Sequence, residues 1–184
     1  MQANDERLRQ ILLERERLKT SPQTMAKASG FGIARFVVSC NDASLVLALA
    51  KEVMIVVNNY STQEWPSLEN WISMLPFQFV NNFSPELTEA ERKTQIQNWE
   101  ALTYEEKLTE ASHDDQWTLS SWLSWLEPEE REWFWWDAIL FDFPLNNSHF
   151  LIEVTTLDST FMSGALKKLF EACGASDVVS EDDL

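Results

Sequence analysis

Glycine is scarce in this chain, four residues in 184, which leaves little room for Gly-rich phosphate loops or for a hairpin-dense all-β architecture. Cysteine is scarcer. Cys40 and Cys173 are too few for a disulfide framework, so both are expected as reduced thiols in a cytoplasmic type of compartment. The first residues, Met1-Gln2-Ala3-Asn4-Asp5-Glu6, carry no basic or apolar leader, and no signal peptide is expected from them. The best apolar run, Leu45 to Val57, is 13 residues long and broken by Lys51-Glu52, short of a membrane span. Positive charge is also in short supply: 14 Lys and Arg stand against 30 Asp and Glu, a net of −16. Phosphate and anionic lipid need clustered Lys or Arg, so neither nucleic-acid binding nor membrane insertion is expected.

What the chain does have is apolar and aromatic mass, 45% and 12% of residues, enough for one folded domain despite the charge. The charge is uneven. Residues 1–35 carry seven Lys/Arg against four Asp/Glu, a net of +3, whereas residues 86–142 carry four against fifteen, a net of −11. Residues 4–19 predict a helix with a thin stripe of Leu8, Ile11, Leu12 and Leu18, polar enough to lie on the surface or reach toward a partner. With the linker that follows, through Pro22, Gly30 and Gly32, it forms a segment 1–32 set apart from a domain over 33–180.

Within that domain Arg35–Cys40 predicts a buried strand, and Asn41 or Asp42 caps a helix from Ala43 to about Asn58. Its end, Val53–Val57, is equally compatible with a strand. Pro66 opens another helix and Phe77–Val80 a short strand. Residues 84–126 form a helical insertion in which Thr88/Glu91 and Thr103/Glu106 match capping boxes, with Ile96, Trp99, Leu102 and Leu108 facing inward. Trp133–Phe143 and Phe150–Asp158 predict two strands joined through Pro144–Ser148. Met162–Cys173 predicts a helix stopped at Gly174, Asp177–Val179 a last short strand, and residues 181–184 a loose acidic tail. The order β-α-insertion-β-β-α-(β) is ferredoxin-like, an α+β fold with an N-terminal helix.

Catalytic constellations are hard to find. His113-Asp114-Asp115 offers a His beside carboxylates, but no second His or Cys sits at ligand spacing, and a polar turn with Asp115 as a helix cap explains it. Cys40 precedes a helix N-terminus whose dipole would lower its pKa, yet it reads better as a buried structural thiol. Cys173 lies on the apolar stripe of the last helix, and His149 reads as a solvated loop residue. Ser29-Gly30-Phe31-Gly32 lacks the Lys and the preceding strand of a phosphate loop. Glu127, Glu129, Glu130, Glu132, Asp137 and Asp142 lack the alternating Asp/Asn-with-Gly pattern that converges on a hard cation. No catalytic residue, cofactor or metal is therefore assigned.

Six of the nine tryptophans fall between Trp117 and Phe143, among those same carboxylates. Trp122 shares a helical face with Leu119, Leu123 and Leu126 and belongs in the core. In the strand that follows, Trp133 and Trp135 alternate with Phe134 and Trp136. One face can pack on helices, and the other lies under the insertion or forms an exposed patch. Trp125, Glu127, Glu129, Glu130, Glu132, Trp133, Trp135 and Trp136 are accordingly the candidate partner-binding residues, suited to a basic or partly apolar protein client.

The segment Trp122–Ala138, followed by Ser163-Gly164-Ala165-Leu166-Lys167-Lys168-Leu169-Phe170-Glu171-Ala172-Cys173-Gly174-Ala175, resembles the chlororespiratory-reduction assembly factors of the photosynthetic NADH-dehydrogenase-like complex, over about a third of the chain. The resemblance implies a soluble, non-enzymatic factor of the cytoplasm or a chloroplast-stroma-like compartment that helps mature a hydrophilic-arm subunit. Four functions stay open at this point: an assembly factor or adaptor, an immunity or inhibitor protein that neutralises a basic toxin, an enzyme of unrecognised type using Cys40 or His113, and small-molecule sensing in a ferredoxin-like regulatory fold.

Overall fold

The computed structural model describes residues 2–21, 32–103, 106, 117–141, 147–158 and 161–183. Among them a helix α1 (Gln2–Arg17) precedes β1 (Gly32–Cys40) and α2 (Ala43–Tyr60). The insertion follows as α3 (Leu68–Met74), α4 (Phe77–Val80), α5 (Glu89–Ala101) and α6 (Leu119–Ser124). The chain then runs through β2 (Trp133–Leu140), β3 (His149–Thr156), α7 (Gly164–Ala172) and β4 (Ala175–Ser180) to a 3₁₀ turn at Glu181–Asp183. The strands form one sheet of order β2-β3-β1-β4, every neighbouring pair antiparallel. That is the ferredoxin-like α+β arrangement, with the helical insertion between α2 and β2.

Alternation sorts the strands into two faces. Phe36, Val38 and Cys40 of β1, Phe150, Ile152 and Val154 of β3, and Trp133 and Trp135 of β2 point to the core. There they meet Val46, Ala50, Val53, Met54 and Val57 of α2 and Leu166, Leu169 and Phe170 of α7. Asp42 starts α2 by accepting the N–H groups of Ser44 and Leu45 (3.0 and 3.1 Å), which with the Asn147 amide holds its carboxyl below the usual range. By length and composition α2 is apolar enough to cross a membrane, and in this fold it supplies one wall of the core. Its Val53–Val57 end is helical throughout. Helix α7 stops at Gly174, which takes φ +102° and turns the chain directly into β4.

The insertion is anchored by Trp122, whose indole N–H donates to the Ala165 carbonyl (2.9 Å) and whose ring packs edge-on against Phe79 at 5.1 Å. Phe77–Val80 is thus one turn of helix and not the strand its alternation predicts. Phe79 is buried and Phe77 exposed, and Pro76 directly precedes the turn, which a four-residue apolar period cannot distinguish from a strand. Both capping boxes form: Glu91 takes the Thr88 N–H and hydroxyl (2.7 Å each), and Glu106 those of Thr103 (2.8 Å each). Of the residues expected to face inward here, Ile96 is exposed and Leu102 half-buried, while the Trp99 side chain and Leu108 lie outside the described residues.

Helix α1 is no free arm. It lies along edge strand β2, with Ile11 and Leu18 buried, and its buried Glu14 pairs with Arg131 while accepting the Trp135 N–H (2.7 Å) and the Asn58 amide (2.7 Å). Gln10 accepts the Thr155 hydroxyl at 2.9 Å. The contact is made by polar side chains, which is why a hydrophobic stripe alone understates how deeply this helix docks. The tail is likewise held: Glu181 starts the 3₁₀ turn and pairs with Arg35 at 3.6 Å.

Candidate interaction site

The corner between α6 and β2 is built by one tight turn. Glu130 and Arg131 both donate their N–H groups to the Glu127 carbonyl (3.0 and 2.9 Å), so the chain folds back around Pro128. That turn sends Glu127, Glu129 and Glu130 to the surface and Arg131 into the interior, where its Nε donates to the Trp133 carbonyl at 2.9 Å. Glu132, half-buried, accepts the Met162 N–H through its carboxylate (3.3 Å), and its backbone carbonyl takes the Leu157 N–H (3.0 Å). Leu157 and Met162 are thereby held beside the corner.

Trp125, Glu130, Glu132, Met162 and Ala165, with the buried Trp133 beneath them, line a shallow open depression in the surface that encloses no volume of its own. Trp125 is 39% exposed and Met162 65%. A flat indole, a flexible thioether and two carboxylates around one opening suit a cationic side chain with an apolar stem. Among the described residues none of Glu127, Glu129, Glu130 and Glu132 forms an ion pair.

Of the sequence-derived candidates, Trp125 and the four glutamates reach the surface together. Trp133, Trp135 and Trp136 do not: each is 5% exposed or less, so beyond the floor that Trp133 lends the recess they offer a partner nothing. Trp133 and Trp135 fill the core face, with Trp135 packed on Phe170 at 6.0 Å. Trp136 is the extra residue of a bulge between Trp135 and Asp137, and Arg17 of α1 stacks over its ring at 4.4 Å. Of the two outcomes expected for that face, cover by the insertion or an exposed patch, neither applies at Trp136, which Arg17 of α1 covers.

The remaining candidates separate. Cys40 sits on the core face and burial raises its thiol pKa, opposite to the lowering that the helix dipole alone would give. His149 opens β3 opposite Ser39, on the other face of the sheet, its ring bonded to the Ser148 hydroxyl at 2.7 Å. Cys173 is buried and its thiol is raised strongly by desolvation. His113-Asp114-Asp115 and Ser29–Phe31 lie outside the described residues, and Gly32 begins β1. Among the described residues no three His, Cys, Asp or Glu converge as metal ligands. Comparison with protein-family models, curated proteins and solved structures returns no significant match.

Proposed function

We propose that this chain is a non-enzymatic binding factor, of the assembly or maturation kind, that grips a basic, partly apolar protein client at the Trp125–Met162 recess. The observation that carries the reading is an exposed tryptophan and methionine rimmed by Glu130 and Glu132, with no ion pair to those carboxylates among the described residues. Tryptophan anchors commonly dominate interface energetics, and the surrounding negative charge steers a basic client and speeds association. Glu127 and Glu129, exposed on the same turn, extend that field.

The test is affinity recovery from source lysate at low salt with the native chain, with Trp125→Ala, and with Glu130→Gln/Glu132→Gln. A client recovered by the native chain, reduced about tenfold or more by either variant and released by added salt, supports the reading. Equal recovery by all three sinks it. The resemblance to chlororespiratory-reduction factors makes NADH-dehydrogenase-like subunits the first clients to look for, whereas recovery of a basic nuclease would assign the immunity role instead.

A further inference from the structure

The sheet face opposite the core offers a second surface, independent of the recess. Registered pairing places its side chains in rows across the strands. Asp137, Glu153 and Arg35 stand side by side, and Glu181 closes the row through its pair with Arg35. Next to it runs an apolar row, Ile139–Leu151–Val37–Val179, spanning all four strands. Beyond that lie His149, Ser39 and Asp177. Along the apolar row Ile139 is 42% exposed, Val37 and Val179 are half-buried and Leu151 is 9% exposed, and Ile33 on the same face is 48% exposed. The face thus carries an apolar stripe between two polar rows holding four carboxylates and one arginine, which Glu153 already engages at 2.7 Å.

An added strand is a poor occupant. The β2 edge is covered by α1, and each edge strand has an N–H taken by its own aspartate: Ala138 by Asp137 and Val178 by Asp177, both at 2.9 Å. A face-on occupant has to bring its own backbone hydrogen bonds, which a helix does. Four strands at about 4.8 Å spacing make a stripe roughly 14 Å long, matching about ten helical residues with anchors at i, i+3/4 and i+7. The chain already seats one such helix at the end of this face. Arginine-bearing α1 bonds Thr155 through Gln10, in the row beyond Asp137 and Glu153, and stacks Arg17 over Trp136.

We infer that the stripe Ile139–Leu151–Val37–Val179 is a docking surface for an amphipathic helix of another protein, with a short apolar face flanked by Lys or Arg. The carboxylates of Asp137, Glu153, Glu181 and Asp177 meet those basic flanks, and Ile139, Val37 and Val179 meet the anchors over the buried Leu151. Two defined probes test this with the full chain. One is a Leu/Lys peptide with leucines at i, i+3, i+4 and i+7; the other is a scrambled peptide of the same composition with no apolar face. Titration followed by hydrogen exchange should show saturable binding of the first, with added protection in β1 and β3. The scrambled peptide and the surface variant Ile139→Lys should each weaken binding about tenfold or more, while Ile139→Leu and Trp125→Ala leave it unchanged. Equal binding of both peptides, or indifference to Ile139→Lys, overturns the inference, and loss with Trp125→Ala moves the site to the recess. Self-association of the chain that Ile139→Lys abolishes would make a second copy the occupant and overturn it as well.

Discussion

Glu14 and Arg131 form an ion pair with both side chains fully out of solvent, joining the first helix to the turn before β2. The pair is embedded: Glu14 also accepts from Trp135 and Asn58, and Arg131 lies over the rings of Trp133 and Phe134 at 5.1 and 5.0 Å. Removing one partner strands a charge in an apolar interior. Glu14→Leu and Arg131→Met should each cost about 3–5 kcal/mol. The double variant Glu14→Leu/Arg131→Met should cost far less than their sum, leaving mainly the lost acceptor for Trp135 and Asn58, about 1–3 kcal/mol. Urea midpoints for the four-member cycle decide it, and additive losses would mean the two residues act separately.

Strand and helix order was legible because each element carries its own period. Phe36, Val38 and Cys40 alternate; Leu166, Leu169, Phe170 and Cys173 do not, and the two patterns fold as a strand and a helix. The recess was half legible. Trp125 and the four glutamates cluster in sequence around Pro128, but Met162 and Ala165 join only through tertiary packing. Two kinds of signal were hidden. Trp136 is buried at a bulge beneath Arg17 of α1, and no local residue pattern announces either the bulge or that cover. The burial of Gln10 and Glu14 is hidden because polar residues score as surface. The clue was their position beside Ile11 and one turn before Leu18, on a shared helical face.

Both thiols should be protected in the native state. Cys40 and Cys173 are buried, and desolvation raises both pKa values, so at any neutral pH each holds less thiolate than a free cysteine. Labelling with a disulfide reagent should be slow under native conditions and rapid in denaturant. Fast native modification of Cys40 would reopen the enzyme reading.

Gly174 should resist substitution for backbone reasons alone. Its φ of +102° strains any L side chain, whereas an added Cβ would meet Val46 Cγ2 at an ordinary 3.8 Å. Gly174→Ala should therefore cost about 1–2 kcal/mol in urea unfolding. Gly32→Ala fails for a different reason, since its Cβ would stand 2.9 Å from Thr156 Oγ1. A Gly174→Ala chain as stable as the parent would show that the turn into β4 adapts.

Asp137 gives the sheet face a pH signature. Burial raises its carboxyl above the ordinary 3.8; the Ala138 N–H opposes that shift, and nearby Glu153 adds to it. An acid whose folded pKa is raised binds its proton more tightly in the native state. Its ionisation therefore costs stability at neutral pH, and that cost fades as pH falls through the folded pKa toward 3.8. Asp137→Asn keeps an oxygen for the Ala138 N–H and removes the charge. The variant should be more stable than the parent at neutral pH, with the difference shrinking to nothing in acid below 3.8. Comparing the two by urea midpoint across that range reads this carboxyl together with its coupling to Glu153, Lys51 and Arg17. A variant that is less stable at neutral pH, or a gap that stays constant into acid, would show that Asp137 is held by favourable contacts and not penalised by burial.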